Sequence, residues 1–180
     1  MKFPLLLVVI QETIIDAVEV LRRQGSPQYL FSYHAVIETN GRICYLVPAT
    51  ESAFGVKASY YFNVETGEKE QIKNSVNDFS YHIALETPID GRNKTLSSHS
   101  GYSIEQYNSL AWLIRATGVN LNRLVKYDEL FSLDGTNITS DSQPRSLDFN
   151  YLTKLVQLKT NSKSIDFGIL DYTKRNEVNG

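Results

Sequence analysis

The run Leu5-Leu6-Leu7-Val8-Val9-Ile10 constrains this chain more than any other feature. It is far shorter than the roughly 20 apolar residues that a helix needs to cross a bilayer. Gln11-Glu12 follows at once and no small-residue cleavage site comes next, so the run reads as a buried central strand rather than an export signal. At 180 residues the chain can surround such a strand with one domain and a substantial core. Hydrophobic residues at 42% and charged residues at 21% match globular usage, which sets aside disordered and fibrous classes. A net charge of -2, with no basic run beyond Arg22-Arg23, argues against a nucleic-acid partner. The single cysteine, Cys44, lies among strand-forming residues and is expected to be a buried, inert thiol, as suits a reducing compartment.

No internal repeat and no linker divides the chain. Ile14, Val18 and Leu21 recur at helical spacing, predicting a helix over 14–23 that Gly25 ends, with Ile14, Val18 and Leu21 facing the sheet. Two strand-like runs, 31–38 and 42–47, are separated by Thr39-Asn40-Gly41, a hairpin signal. Strands are expected over 56–63 and 79–86, with a surface loop over 65–77 between them. Tyr107, Leu110, Ala111 and Ile114 repeat at the helical period, and Ser103 with Gln106 forms a capping-box pattern at the start. A short strand over 121–125, a long polar loop over 128–146 and a last helix over 151–158 complete the pattern. The expected architecture is α/β, a mixed central β-sheet flanked by helices, with one domain over 1–159 and a polar C-terminal tail over 160–180.

Read in order, several short motifs resemble the zinc-dependent N-acetylmuramoyl-L-alanine amidase family, which includes cell-wall amidases, amidase-type phage lysozymes and animal peptidoglycan recognition proteins. They are Phe31-Ser32-Tyr33-His34-Ala35-Val36-Ile37 with Asn40-Gly41, Leu46-Val47-Pro48, Ser52-Ala53-Phe54, Val76-Asn77-Asp78-Phe79-Ser80, His99-Ser100-Gly101-Tyr102, Gln106-Tyr107-Asn108-Ser109-Leu110-Ala111 and Pro144-Arg145-Ser146. The resemblance runs over residues 5–152 and implies an amidase-like fold.

Members of that family hold zinc through two histidines and an Asp or Cys, leaving a position for the water that attacks the amide. The resemblance puts Gln11, Tyr127 and Gln143 at these three positions, so the chain is identified as a degenerate member with no metal ligands. Neutral amides and an un-ionised phenol are poor zinc donors. No cofactor is therefore expected, although the family implies zinc. Tyr33 matches a tyrosine that lines the metal site in active members and is the one retained catalytic candidate. Gly55, after the aromatic Phe54, stands where a histidine is often found, and a basic or acidic helper falls near Asp141. Phe54, Gly55, His34 and His82 are the candidate binding residues.

A replacement site built from His34, His82 and His99 is disfavoured, because His99 falls in a polar loop and reads as a surface residue. Glu12 reads as a solvated acid at a helix start. Tyr60, Tyr61 and Tyr102 can line a groove or pack into the sheet. The expected function is a pseudo-enzyme that binds a peptidoglycan fragment or a protein partner. The alternatives are an active amidase of cell-wall turnover or phage lysis with an unusual metal site, and a structural subunit of a phage or other large assembly. A soluble, cytoplasmic or phage-associated location is expected, with no membrane span.

Overall fold

The computed structural model describes residues 5–24, 26, 28–29, 31–56, 60–63, 66–71, 75–93, 95–132, 142–158 and 169–173, apart from the side chains of residues 62, 71 and 169. The chain opens with β1 (Leu7–Thr13), buried along its whole length. Asp16 then caps α1 (Ala17–Arg23) by accepting from the Glu19 amide. A hairpin follows, β2 (Ala35–Ile37) and β3 (Ile43–Tyr45), then a second hairpin, β4 (Tyr60–Asn63) and β5 (Glu68–Gln71). β6 (Ser80–Glu86) leads through a polar loop to α2 (Ile104–Thr117), then β7 (Leu124–Lys126) and the two-residue β8 (Leu130–Phe131). α3 (Phe149–Gln157) and β9 (Ile169–Asp171) complete the order.

Six strands form the main sheet in the order β7-β1-β6-β2-β3-β9. β1 lies between β6 and β7 and is parallel to both, while β2 and β3 are antiparallel, so the sheet is mixed as expected. A strand buried on both faces reads as a continuous apolar run, which accounts for the segment 5–10. Alternation then sorts its side chains. Val8 and Ile10 face α2 and α3 together with Ile83 and Leu85 of β6. Leu7 and Val9 face the other way, toward Val56, Tyr61, Tyr127 and Leu130 near the small sheet β5-β4-β8. On that same side α1 packs through Ala17 and Val20 onto Val36, Cys44 and Ala84. Burial pushes the Cys44 thiol up to about 12, in keeping with an inert side chain.

Four sequence expectations are corrected. The first helix begins at Ala17 rather than at residue 14, because Asp16 caps it; the buried face is Ala17 and Val20, and Val18 is exposed. The expected surface loop 65–77 contains β5, which pairs antiparallel with β4 in one register from Asn63↔Glu68 to Tyr60↔Gln71. The long loop 128–146 contains β8, paired with β4. Ile169–Asp171, in the segment read as a polar tail, pairs in parallel with β3. Gly25, Asp141 and most of the tail lie outside the described residues.

The hairpin and α2 are locked to each other. Ser103 and Gln106 form the capping box, and the Gln106 side chain also donates to the Glu86 carbonyl at 2.9 Å. Ser109 Oγ donates to the Gly41 carbonyl at 2.5 Å. Gly41 has φ +83°, and a Cβ there would stand 2.7 Å from the Glu105 Cβ and 2.9 Å from its backbone. Gly67 has φ +70° with open space around it. Gly41→Ala should therefore cost several times more than Gly67→Ala, on the order of 3 kcal/mol against about 1, because only the first adds a backbone collision to left-handed strain. Urea unfolding midpoints of the two variants check this, and equal losses would show that α2 yields to the added methyl.

Candidate functional site

In parallel α/β sheets, ligands gather at the carboxyl ends of the strands. Here that edge is formed by Gln11–Thr13 of β1, the end of β6 and the turn after β7. The segments carrying the three expected ligand positions meet there. Ile10 pairs with Lys126, which brings Gln11 beside Tyr127. The Glu12 amide donates to the Ser142 carbonyl at 2.9 Å, which lays the loop bearing Gln143 on the end of β1. Gln143 Nε2 in turn donates to Asp128 Oδ2 at 2.8 Å, joining that loop to the turn after β7.

Gln11 is fully buried, and its Nε2 lies 3.0 Å from His82 Nδ1. The segment carrying Phe54 and Gly55 covers the pair. Ser32 and Phe54 exchange bonds, Phe54 N to Ser32 Oγ at 2.9 Å and Ser32 N to the Phe54 carbonyl at 3.0 Å. Asn77 brackets Val56, donating to its carbonyl at 2.7 Å and accepting from its amide at 3.2 Å. Held this way, Gly55 sits so close that a Cβ would collide with His82 Nδ1 and stand 2.7 Å from Gln11 Nε2. No side chain, a histidine included, fits at 55 over this pair. Phe54 is left pointing outward, 63% exposed, and is the one aromatic candidate available to an incoming molecule at this place.

His34 and His82 are fully buried. His34 Nδ1 accepts from the His82 amide at 3.0 Å, so its proton sits on Nε2, which faces the Glu51 carbonyl at 3.0 Å. Both histidines thus serve the packing of β2 against β6 rather than an exposed surface. Tyr33 is buried as well. Its phenol bonds with Ser142 and lies within electrostatic reach of Tyr127, and burial pushes it up to about 12. At neutral pH Tyr33 is a neutral hydroxyl.

Glu12 and His99 are corrected. Glu12 is no solvated acid. Strand alternation sends it to the α2 side of β1, with no exposed side-chain surface, where Arg145 Nε meets Oε1 at 2.6 Å and Tyr102 Oη donates to Oε2 at 2.8 Å. His99 was expected at the surface, but only its backbone is exposed. Its side chain is fully covered, with Nε2 3.4 Å from Glu12 Oε2 but out of line for a hydrogen bond. Tyr102 belongs to this cluster and Tyr61 to the apolar core, so neither lines an open groove. Strand parity was the available signal for Glu12, since it shares a face with Val8 and Ile10.

The donors present do not suit zinc. The Gln11 amide nitrogen lies against His82 under the Gly55 backbone while its buried Oε1 accepts no hydrogen bond among the described residues, the exposed Gln143 bonds Asp128 through its nitrogen, and Tyr127 packs in an apolar cluster. None supplies an imidazole, thiolate or carboxylate. Among the described residues no three His, Cys, Asp or Glu side chains converge on one point.

The raised Tyr33 phenol carries a stability consequence. Its folded value, about 12, lies above the unfolded value near 10, so its contribution is complete below about pH 10 and is lost as pH rises through 12. Between about pH 9.5 and 11.5 the parent should lose about 2 kcal/mol more stability than Tyr33→Phe, measured by urea unfolding. Parallel pH curves would show that burial does not hold this phenol neutral.

A family model described as N-acetylmuramoyl-L-alanine amidase matches residues 2–130. No curated protein sequence matches the chain. The AmiD amidase of E. coli, solved with anhydro-N-acetylmuramic acid-L-Ala-D-gamma-Glu-L-Lys, is 20% identical over 72% of this chain and 51% of its own, with a TM-score of 0.53. AmpDH3 of Pseudomonas aeruginosa, solved with an anhydromuramic pentapeptide, is 16% identical over 86% of this chain and 61% of its own, with a TM-score of 0.61. AmpD of Citrobacter freundii is 19% identical over 91% of this chain and 87% of its own, with a TM-score of 0.53. The chain thus spans about half the length of AmiD, and at these identities the likeness is one of fold. With the family model covering more than half of its residues, and with the fold shared by these amidases, the chain belongs to the N-acetylmuramoyl-L-alanine amidase family.

Proposed function

We propose that this domain binds a peptidoglycan-derived fragment at the carboxyl edge of its sheet without cleaving it. The observation that carries this reading is the fate of the three ligand positions. Their segments still converge, but Gln11, Tyr127 and Gln143 are neutral and are packed or bonded within the protein. Amide hydrolysis needs an activated water and a polarised carbonyl. A neutral phenol at Tyr33 supplies neither. Relatives of the same fold have been solved holding anhydromuramyl peptides, which supports this ligand class for the retained scaffold. Phe54, exposed on a backbone pinned by Ser32 and Asn77, is a rigid apolar platform for a sugar ring or a lactyl-peptide stem.

The test is titration calorimetry with an anhydromuramyl tripeptide, coupled to mass spectrometry of the mixture with and without added zinc. Saturable binding on the order of 10 μM, weakened about tenfold by Phe54→Ala, with the ligand intact, is the expected result. Zinc-dependent, chelator-sensitive release of the peptide would overturn it in favour of an active amidase. Neither binding nor cleavage would leave the scaffold to a structural role against a protein partner.

A further inference from the structure

The most buried charge of the described residues, Glu12, lies on the other side of β1 from Gln11, and nothing in the proposed binding reading uses it or its partner Arg145. Glu12 has no exposed side-chain surface, and the Arg145 side chain is 11% exposed. A buried carboxylate of this kind needs a full set of donors. It receives Arg145 Nε at 2.6 Å, the Arg145 backbone amide at 3.1 Å and Tyr102 Oη at 2.8 Å. The guanidinium spends its remaining nitrogens on the loop between β6 and α2. Nη2 donates to the Gly91 carbonyl at 2.5 Å, and Nη1 to the Leu96 carbonyl at 2.7 Å and, more weakly, to that of Asn93 at 3.4 Å. One arginine therefore ties three separate stretches together: the end of β1, the loop 88–101 and the segment 142–148 before α3.

Neighbouring contacts tighten the same junction. Ser146 Oγ accepts from the His99 amide and donates to the His99 carbonyl, both at 2.9 Å. Asp90 accepts from the Ser100 amide at 2.7 Å and from its hydroxyl at 2.9 Å. On the opposite face of β1, Ser142 reaches Tyr33 and Gln143 reaches Asp128. The segments bridged across both faces are β1, the turn after β7 and the stretch before α3. These are the same segments that a metal ion held at Gln11, Tyr127 and Gln143 would have to join.

We propose that the buried Glu12–Arg145 ion pair, with Tyr102 and His99 around it, is a metal-independent clasp that closes the 142–148 segment and the 88–101 loop onto the end of β1. The disagreement between the donor set and zinc is then compensated structurally: the cross-link has moved from one face of the strand to the other. Arginine is required because one side chain must meet a carboxylate and two or more carbonyls at once, which a lysine ammonium on a flexible stem does not reproduce. The clasp does not depend on what the site binds, so it stands or falls separately from the peptidoglycan reading.

The test is amide hydrogen exchange on the full chain, read by mass spectrometry over residues 88–101 and 142–148. The parent protein should exchange at the same rate, within about twofold, in excess chelator and in added zinc. Glu12→Gln and Arg145→Met should each speed exchange in both segments by tenfold or more. The double variant should be no faster than the singles, since the two residues act as a unit. Arg145→Lys, which keeps the charge, should loosen 88–101 nearly as much as Arg145→Met does. Exchange that rises in the parent on chelation would overturn the proposal, and so would additive or absent effects of the substitutions. Should the Met variant fail to fold, the Lys variant and the chelator comparison on the parent still decide it.

Discussion

A carboxyl group with no exposed surface is tolerated inside a fold only when a cation and hydrogen-bond donors meet its oxygens, and Glu12 gathers these from distant parts of the chain. Arg145 comes from 133 residues away and Tyr102 from 90. The arginine brings its backbone amide as well as its side chain, so the segment before α3 is fixed in position as well as in charge. Breaking a buried pair of this type leaves an uncompensated charge and costs about 3–5 kcal/mol. A junction with that penalty draws the late part of the chain onto its first strand, and α3 then packs beside α2 over Val8 and Ile10.

β1 organises chemistry on both of its faces by a period of two. Leu7 and Val9 lead to Gln11 and the covered Gln11–His82 contact, while Val8 and Ile10 lead to Glu12 and the ion pair. Adjacent residues therefore enter unrelated environments. Gln11 lies under the Gly55 backbone, in the region of Tyr33 and Tyr127. Glu12 lies beneath the loop 88–101. The end of the strand thus carries, one residue from Gln11 and on its opposite face, a cross-link of its own through Glu12 and Arg145.

At the three expected ligand positions the side chains are neutral, with Gln11 and Tyr127 buried and Gln143 exposed beside the Asp128 carboxylate. Tyr33 is held as a hydroxyl by burial, and the two glutamines place their amide nitrogens against His82 and Asp128. Gly55 shows how tightly the residues are matched: its missing side chain is the space that Gln11 and His82 occupy. Facing outward are the Phe54 ring on a pinned loop and the Gln143 side chain beside Asp128. Such a surface can recognise an apolar or sugar face, and recognition is the role proposed for it.

Sequence alone determined the elements whose signals are local. The apolar run of β1, the hairpin at Asn40-Gly41, the capping box of Ser103 and Gln106 and the helical period through Ile114 all depend on residues a few positions apart, and all were legible. The ordered motifs carried the family, and the positions that resemblance points to, Gln11, Tyr127 and Gln143, lie on segments that meet in the structure. Tertiary structure decided the rest, because it rests on contacts between distant segments. Asp16 as a cap shifted the start of α1 and turned its buried face to Ala17 and Val20. β5, β8 and β9 are short strands that exist through the edges they pair with, and their own sequences are polar or brief. Glu12 and His99 looked solvated because each sits among polar neighbours in the chain. Strand parity places Glu12 on the face of Val8 and Ile10, but its partners Arg145 and Tyr102, and the covering of the His99 side chain, come from distant segments that no window of sequence contains.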